Sequence, residues 1–201
     1  NYHVKGGNTR FVEALVSRIG RPPVVNAMVT AIRQTADGVT VRYLQDGYYY
    51  REATANYVVV TVPVPQLGRI QFEPGLSEEK QRAIATTRYG SYIKVHFGIA
   101  PQAAKLWQPD GSSILTLLSD SPAGSVYDAT DLQDAPSDRD RVLTLLLHAR
   151  FARNLLGRSA DDIRQICAES LDALFPGVKQ QITFAEIFVY PSAVAYWPLK
   201  L

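Results

Sequence analysis

Tyr89-Gly90-Ser91-Tyr92-Ile93-Lys94-Val95-His96-Phe97 is the stretch around which the chain is organised. From Ile93 onward apolar and polar side chains alternate strictly. A β-strand therefore sends Ile93, Val95 and Phe97 to one face and Lys94 and His96 to the other. The apolar face requires a core. The lysine face is most simply a solvated surface, because lysine on a half-buried strand usually reaches water.

Upstream of this strand, Ser77-Glu78-Glu79-Lys80 predicts a helix start running to about Thr86 after the Pro74-Gly75 turn. Further back, Tyr57-Val58-Val59-Val60-Thr61-Val62 is a continuous β-branched run of the kind covered on both faces, ended by Pro63 and Pro65. Val24 to Gln34 and Val39 to Leu44 read as strands joined at Asp37-Gly38. Gln45-Asp46-Gly47 turns the chain into Tyr48-Tyr49-Tyr50-Arg51, completing a β-meander. Gly6-Gly7 precede Asn8 or Thr9 as an N-cap, with Phe11, Val12, Leu15, Val16 and Ile19 at helical spacing up to Gly20.

Downstream, strands are expected at Ser113 to Leu118, Val142 to Ala149 and Ile182 to Val189. The Asp-, Ser- and Pro-rich stretch from Asp120 to Arg141 reads as a long exposed loop. Ser159-Ala160-Asp161-Asp162 starts a helix with Ile163, Ile166, Cys167, Leu171 and Leu174 on one stripe, ended by Pro176-Gly177. The mixture is α+β.

Of the 201 residues 46% are hydrophobic, enough for a real core, and 21 basic residues against 19 acidic ones give a net charge of +2. The charges are scattered, so nucleic acid is not an expected partner. No apolar stretch approaches the roughly 18 residues that span a bilayer. The single cysteine excludes an internal disulfide, and its place on the helix stripe points to a buried structural thiol. His3, His96 and His148 lack metal-ligand spacing, so no metal is expected. Gly6-Gly7 is not a dinucleotide fingerprint and there is no Gly-x-Ser-x-Gly elbow. The chain opens on Asn1 without an initiator methionine or targeting segment. It is expected to be a piece of a longer protein, with the cytoplasm as its compartment.

In order along almost the whole chain, these segments resemble the flavin-containing amine oxidase family, whose members include monoamine, polyamine and L-amino-acid oxidases. Gly90-Ser91-Tyr92-Ile93-Lys94 is similar to the family's Gly-x-x-x-Lys strand. Gly6-Gly7-Asn8-Thr9-Arg10-Phe11 resembles its glycine pair and helix, and Val24 to Ile32 the strand beside the FAD adenine. Asp37-Gly38-Val39 and Ala55 to Pro63 are similar to its meander and to the strand that leaves the FAD domain. Ile70-Gln71-Phe72-Glu73-Pro74, Leu174-Phe175-Pro176-Gly177 and Ala195-Tyr196-Trp197-Pro198 match later landmarks.

The resemblance implies a mixed β-sheet flanked by helices from the substrate domain, plus a β-meander from the FAD-binding domain. By it, residues 1–64 are a partial FAD-binding domain, 65–188 a portion of the substrate-binding domain, and 189–201 the return towards the FAD domain. It implies that the parent enzyme oxidises an amine or amino acid to an imine, passing a hydride to flavin and yielding hydrogen peroxide with O2; the piece alone would be inactive. Lys94 would hold a water at the flavin. Val29 would offer its backbone to the adenine, with Gly6, Gly7 and Trp197 also on the cofactor side. His96 and Tyr196 would line the substrate pocket, although a structural role for His96 and packing for Tyr196 and Trp197 stay open. Ser192 and Ala193 stand where monoamine oxidases place the flavin-linking cysteine and a cage tyrosine, which implies non-covalent FAD. The dinucleotide fingerprint and the C-terminal flavin segment are absent from these residues, so the FAD site is incomplete here. Two rival readings remain: a related FAD oxidoreductase acting on C–C bonds, of protoporphyrinogen or carotenoid type, and a flavin-free binding domain on the same scaffold.

Overall fold

A computed structural model of the chain describes residues 4–108, 116–130, 133 and 138–197. Its contacts divide it into two compact units, one of Asn1–Glu13 with Tyr89–Ala195, the other of Ala14–Arg88 with Tyr196–Leu201. Gly6 and Gly7 take φ of 79° and 90°, a backbone that glycine adopts without strain. They lead into helix α1 (Thr9–Val16), with the Asn8 carbonyl accepting from Phe11 and Val12. The helix ends three residues short of Ile19, and its Phe11, Val12 and Leu15 are exposed.

In the second unit, β1 (Ala27–Thr35), β2 (Gly38–Gln45) and β3 (Tyr49–Ala55) form the expected meander. A short helix α2 (Val64–Leu67) precedes β4 (Gln71–Glu73), which joins β1 in parallel and makes this four-stranded sheet the mixed one, in the order β3-β2-β1-β4. One face buries Ile32, Val39 and Ile70 with Val29, Val41 and Phe72 against them. On the other face Arg42 donates to Glu52 at 2.9 Å. Helix α3 (Glu78–Thr86) begins as its sequence dictates: Ser77 Oγ accepts from Lys80 N–H, and Glu78 and Glu79 sit in the positive first turn.

The β-branched run departs from expectation. Tyr57 to Val62 joins no strand, and Tyr57 and Val59 are 87% and 84% exposed. β-Propensity reflects packing on neighbouring strands, and among the described residues none runs beside this segment.

In the first unit, β5 (Arg88–Ile99), β6 (Thr116–Leu118), β7 (Ser125–Asp128), β8 (Arg141–His148) and β9 (Ile182–Tyr196) build a five-stranded sheet ordered β6-β7-β8-β5-β9. The pairs β6/β7, β7/β8 and β8/β5 are antiparallel. Gly90 lies beside the Val194 carbonyl and Gly98 beneath the Phe184 ring, so β9 also runs against β5. Ile93, Val95 and Phe97 pair with Leu147, Leu145 and Leu143, all fully buried. They pack against helices α4 (Ala149–Leu155) and α5 (Ala160–Leu174) through Ala152, Leu155, Ile163, Cys167 and Leu171. Burying each large aliphatic chain stabilises the unit by about 1.5–3 kcal/mol. Burial pushes the Cys167 thiol up to about 12, as befits the structural role expected of it.

The Asp120–Arg141 stretch is not one exposed loop. Its described part contains β7, with Val126 fully buried and Asp128 4% exposed. Asp128 earns its burial by saturation. Its Oδ2 accepts from Trp107 Nε1 at 3.1 Å and Arg141 Nη2 at 2.6 Å, and its Oδ1 from Thr130 N–H and Oγ1 at 2.9 and 2.7 Å. Strand β8 stops at His148, because Ala149 turns to φ 53° and opens α4. Strand β9 continues through Pro191 to Tyr196, which an edge strand tolerates. Residues 113–115 of the strand expected at Ser113 to Leu118, residues 131–132 and 134–137 of the expected loop, and Pro198 lie outside the described residues.

Candidate functional site

Strict alternation gives the second face of the five-stranded sheet its polar and aromatic side chains, with the aliphatic Leu146 directly opposite Lys94. Tyr92, Lys94 and His96 of β5 point there, half-buried. Along the rung at His96, β8 supplies Thr144, β7 Tyr127 and β6 Thr116, each opposite the last. From β9 come Phe188, whose ring centroid lies 5.8 Å from that of His96 at 75°, and Tyr190, 5.7 Å from Tyr92.

His96 Nδ1 lies 2.7 Å from the fully buried Thr144 Oγ1, a hydrogen bond whose donor depends on the ring tautomer. Burial is the main cause that lowers the His96 pKa; the nearby Lys94 ammonium lowers it further, and Glu186 opposes both. The Tyr92 phenol is shifted upward, first by burial and then by Tyr127 and Tyr190. The Lys94 ammonium makes no hydrogen bond or ion pair with any described residue, and Thr144 is the one described hydrogen-bond partner of His96. Two polar groups two residues apart, Lys94 Nζ and His96 Nε2, thus face outward from the sheet with their bonding capacity unused.

The structure brings Lys94 and His96 together on this face, as the alternation requires. Gly6 and Gly7 form a turn, with Gly6 N–H donating to Gln133 Oε1 at 3.1 Å. Nothing within 4 Å would meet a Cβ on Gly7, so a group could approach its backbone closely. Val29 lies in β1 beside a bulge between Val29 and Ala31. Strand β4 covers β1 only from Ala31 onward, so around Val29 the outer backbone edge is free of a described partner strand. Tyr196 ends β9 at 48% exposure and Trp197 follows it at 61%.

Thr144, Tyr127, Glu186, Phe188 and Tyr190 are site residues that sequence reasoning missed. One signal was present: Thr144 is the lone polar residue inside Val142 to Leu147. The others become neighbours of Lys94 only through strand pairing.

The model of the flavin containing amine oxidoreductase family matches residues 1–195. An L-amino-acid oxidase of Siganus canaliculatus is 28% identical over 184 residues, 87% of this chain and 34% of its own length. The L-amino-acid oxidase of Vipera ammodytes ammodytes is 31% identical over 124 residues, 62% of this chain and 25% of its own. Among solved structures, putrescine oxidase bound to putrescine superposes with a TM-score of 0.74 at 23% identity, covering 91% of this chain and 38% of that one. Cyclohexylamine oxidase from Brevibacterium oxydans IH-35A gives 0.70 at 20%, covering 85% and 37%. These structures share the fold. The chain spans about a third of the length of the curated L-amino-acid oxidase it matches over 184 residues. With the family model covering 195 positions, the chain belongs to the flavin-containing amine oxidoreductase family.

Proposed function

We propose that the chain is the sheet-bearing part of an FAD-dependent oxidase that converts an amine or amino acid to the imine. The single observation that carries this reading is the Lys94 ammonium on the polar face of the five-stranded sheet, without a hydrogen bond or ion pair to any described residue, in a chain of this family. Residues 65–188 would be the substrate-binding portion, and residues 1–64 and 189–201 would belong with the FAD-binding domain.

The residues present fit a flavin. Gly7 has space for a close backbone approach, and β1 has no described partner strand on its outer edge at Val29; by the family resemblance Ser192 stands in place of a linking cysteine, which supports FAD held without a covalent bond. Gly6 and Gly7 are the candidate cofactor residues of the first unit, and Val29 and Trp197 those of the second. When bound, the flavin takes a hydride equivalent from the carbon bearing the nitrogen and returns its electrons to O2.

The chain's own residues position and dehydrate the amine. Lys94 holds an ordered water with its free donors. Tyr92, Tyr190 and Phe188 give the face an aromatic surface on which the amine's carbon chain packs, with His96 among them. No acid–base pair is needed to break the C–H bond, in keeping with the absence of a paired catalytic constellation from the sequence.

The test uses the full-length protein. It should purify yellow, with flavin absorbance near roughly 450 nm, and release peroxide from members of a panel of L-amino acids, monoamines and putrescine. Lys94→Met should leave FAD bound and slow flavin reoxidation by O2 about tenfold or more, each factor of ten being about 1.4 kcal/mol. Unchanged reoxidation in stopped flow removes Lys94 from the oxygen step, and a colourless full-length protein removes the flavin reading altogether.

A further inference from the structure

Resting on the amine-oxidase reading, one requirement has no assigned residue. An alkyl amine enters as an ammonium, since groups of this kind titrate near pH 10. It can lose hydride from carbon only once its nitrogen lone pair is free. Some group on the open face must therefore take a proton.

Every titratable side chain near His96 can be considered in turn. On its own strand are Lys94, a cation with no lone pair to offer, and Tyr92, whose phenol is held protonated by burial. Across on β7 is Tyr127, on β9 are Tyr190 and Glu186, and at the end of β8 is His148, opposite Tyr92 and exposed. A phenol O–H is a donor whose oxygen is only weakly basic, so it does not take a proton from an ammonium. Glu186 is exposed, so water competes for its oxygens. His96 differs from all of these. Burial and the Lys94 ammonium keep its ring neutral, Thr144 pins it through Nδ1, Phe188 packs against it edge to face, and Nε2 has no described partner.

We propose that His96 is the proton acceptor for the substrate ammonium, and that Thr144 is the positioning residue that keeps Nε2 unprotonated. One N–H bond of the ammonium breaks and one Nε2–H bond forms; the amine becomes neutral, the ring becomes imidazolium, and no electrons change hands. The arrangement requires Nδ1–H to donate to Thr144 Oγ1, leaving the Nε2 lone pair aimed at the cavity. Lys94 repels the imidazolium and hastens return of its proton to water, while Glu186 steadies it in transit.

Two measurements on the full-length protein test this. In 15N-histidine-labelled enzyme without substrate, the His96 ring should be the Nδ1–H tautomer, and Thr144→Val should shift it towards Nε2–H. Its titration should move upward in Lys94→Met and downward in Glu186→Gln. In the flavin-loaded enzyme, with the most active amine of the panel above, kcat/KM should climb with pH through the His96 titration. His96→Gln should abolish that limb and lower kcat/KM by roughly 10²–10⁴-fold, the usual contribution of a positioned base. An Nε2–H tautomer in the unaltered protein overturns the proposal without any turnover, and so does an acid limb that survives His96→Gln unmoved. Neither result touches the parent reading, which fails instead if the full-length protein binds no flavin or releases no peroxide.

Discussion

The two sheets of this chain are built to different standards of enclosure. The five-stranded sheet closes its apolar face completely: Ile93, Val95, Phe97, Leu143, Leu145 and Leu147 are all fully buried under α4 and α5. The four-stranded sheet buries only Ile32, Val39 and Ile70, each still 7–9% exposed. Met28, Val58, Val59 and Val62, apolar residues of the same unit, remain exposed among the described residues. The first sheet carries its own core, whereas the second has three buried side chains with Val29, Val41 and Phe72 packed against them. Comparable strand propensity in the two sequences yields unequal stability, because burial rather than propensity supplies most of the free energy.

The sharpest way to break this comparison is a pair of truncations. Leu145→Ala should cost about 4 kcal/mol, within the range for emptying a tight core site, while Ile32→Ala should cost about 2 or less because its loose site refills with water. Equal shifts of the urea midpoint for the two variants would show that both sheets are equally enclosed. Next in size is Asp128→Asn, which leaves the Arg141 guanidinium facing a neutral group in the first unit. Removing one partner of a buried pair costs about 3–5 kcal/mol, and because Arg141 is one-quarter exposed the loss should fall near 3. A red-shifted Trp107 fluorescence would report the lost indole hydrogen bond at Asp128. The smallest effect is a gain. Ala149 holds φ at 53°, a left-handed conformation that costs alanine about 1–2 kcal/mol. Ala149→Gly relieves that strain at an entropic cost of about 0.5–1 kcal/mol, so the thermal midpoint should rise slightly; a fall would mean that the Ala149 methyl packs usefully.

Local signals in the sequence were faithful where the physics is local. The Ser77 and Ser159 caps, the Asp37-Gly38 turn, the strict alternation around Lys94 and the α5 stripe all depend on a few consecutive residues, and each stands where expected. Errors arose where a distant partner decides. Tyr57 to Val62 has every local property of a strand and no ladder, whereas Ser125–Asp128 sits in turn-rich sequence and is a strand because β6 and β8 flank it. Helix α4 follows His148, whose side chain makes no cap, so nothing announced it. The candidate site was legible to the same extent. Lys94 and His96 could be placed on one face from spacing alone. Thr144, 48 residues away, could not be joined to His96 until the β5/β8 register was known.

The proline in β9 has a consequence for the protein's behaviour among its own copies. Among the described residues, the sheet ordered β6-β7-β8-β5-β9 is bordered by a three-residue β6 and a fifteen-residue β9. A border of that length would be a template for intermolecular pairing, with fifteen residues of backbone ready to recruit a foreign strand. Pro191 interrupts it, because a proline has no N–H to offer and cannot serve as a rung for an incoming chain. Between them, the short border and the interrupted one limit the run of backbone with which an incoming strand could pair.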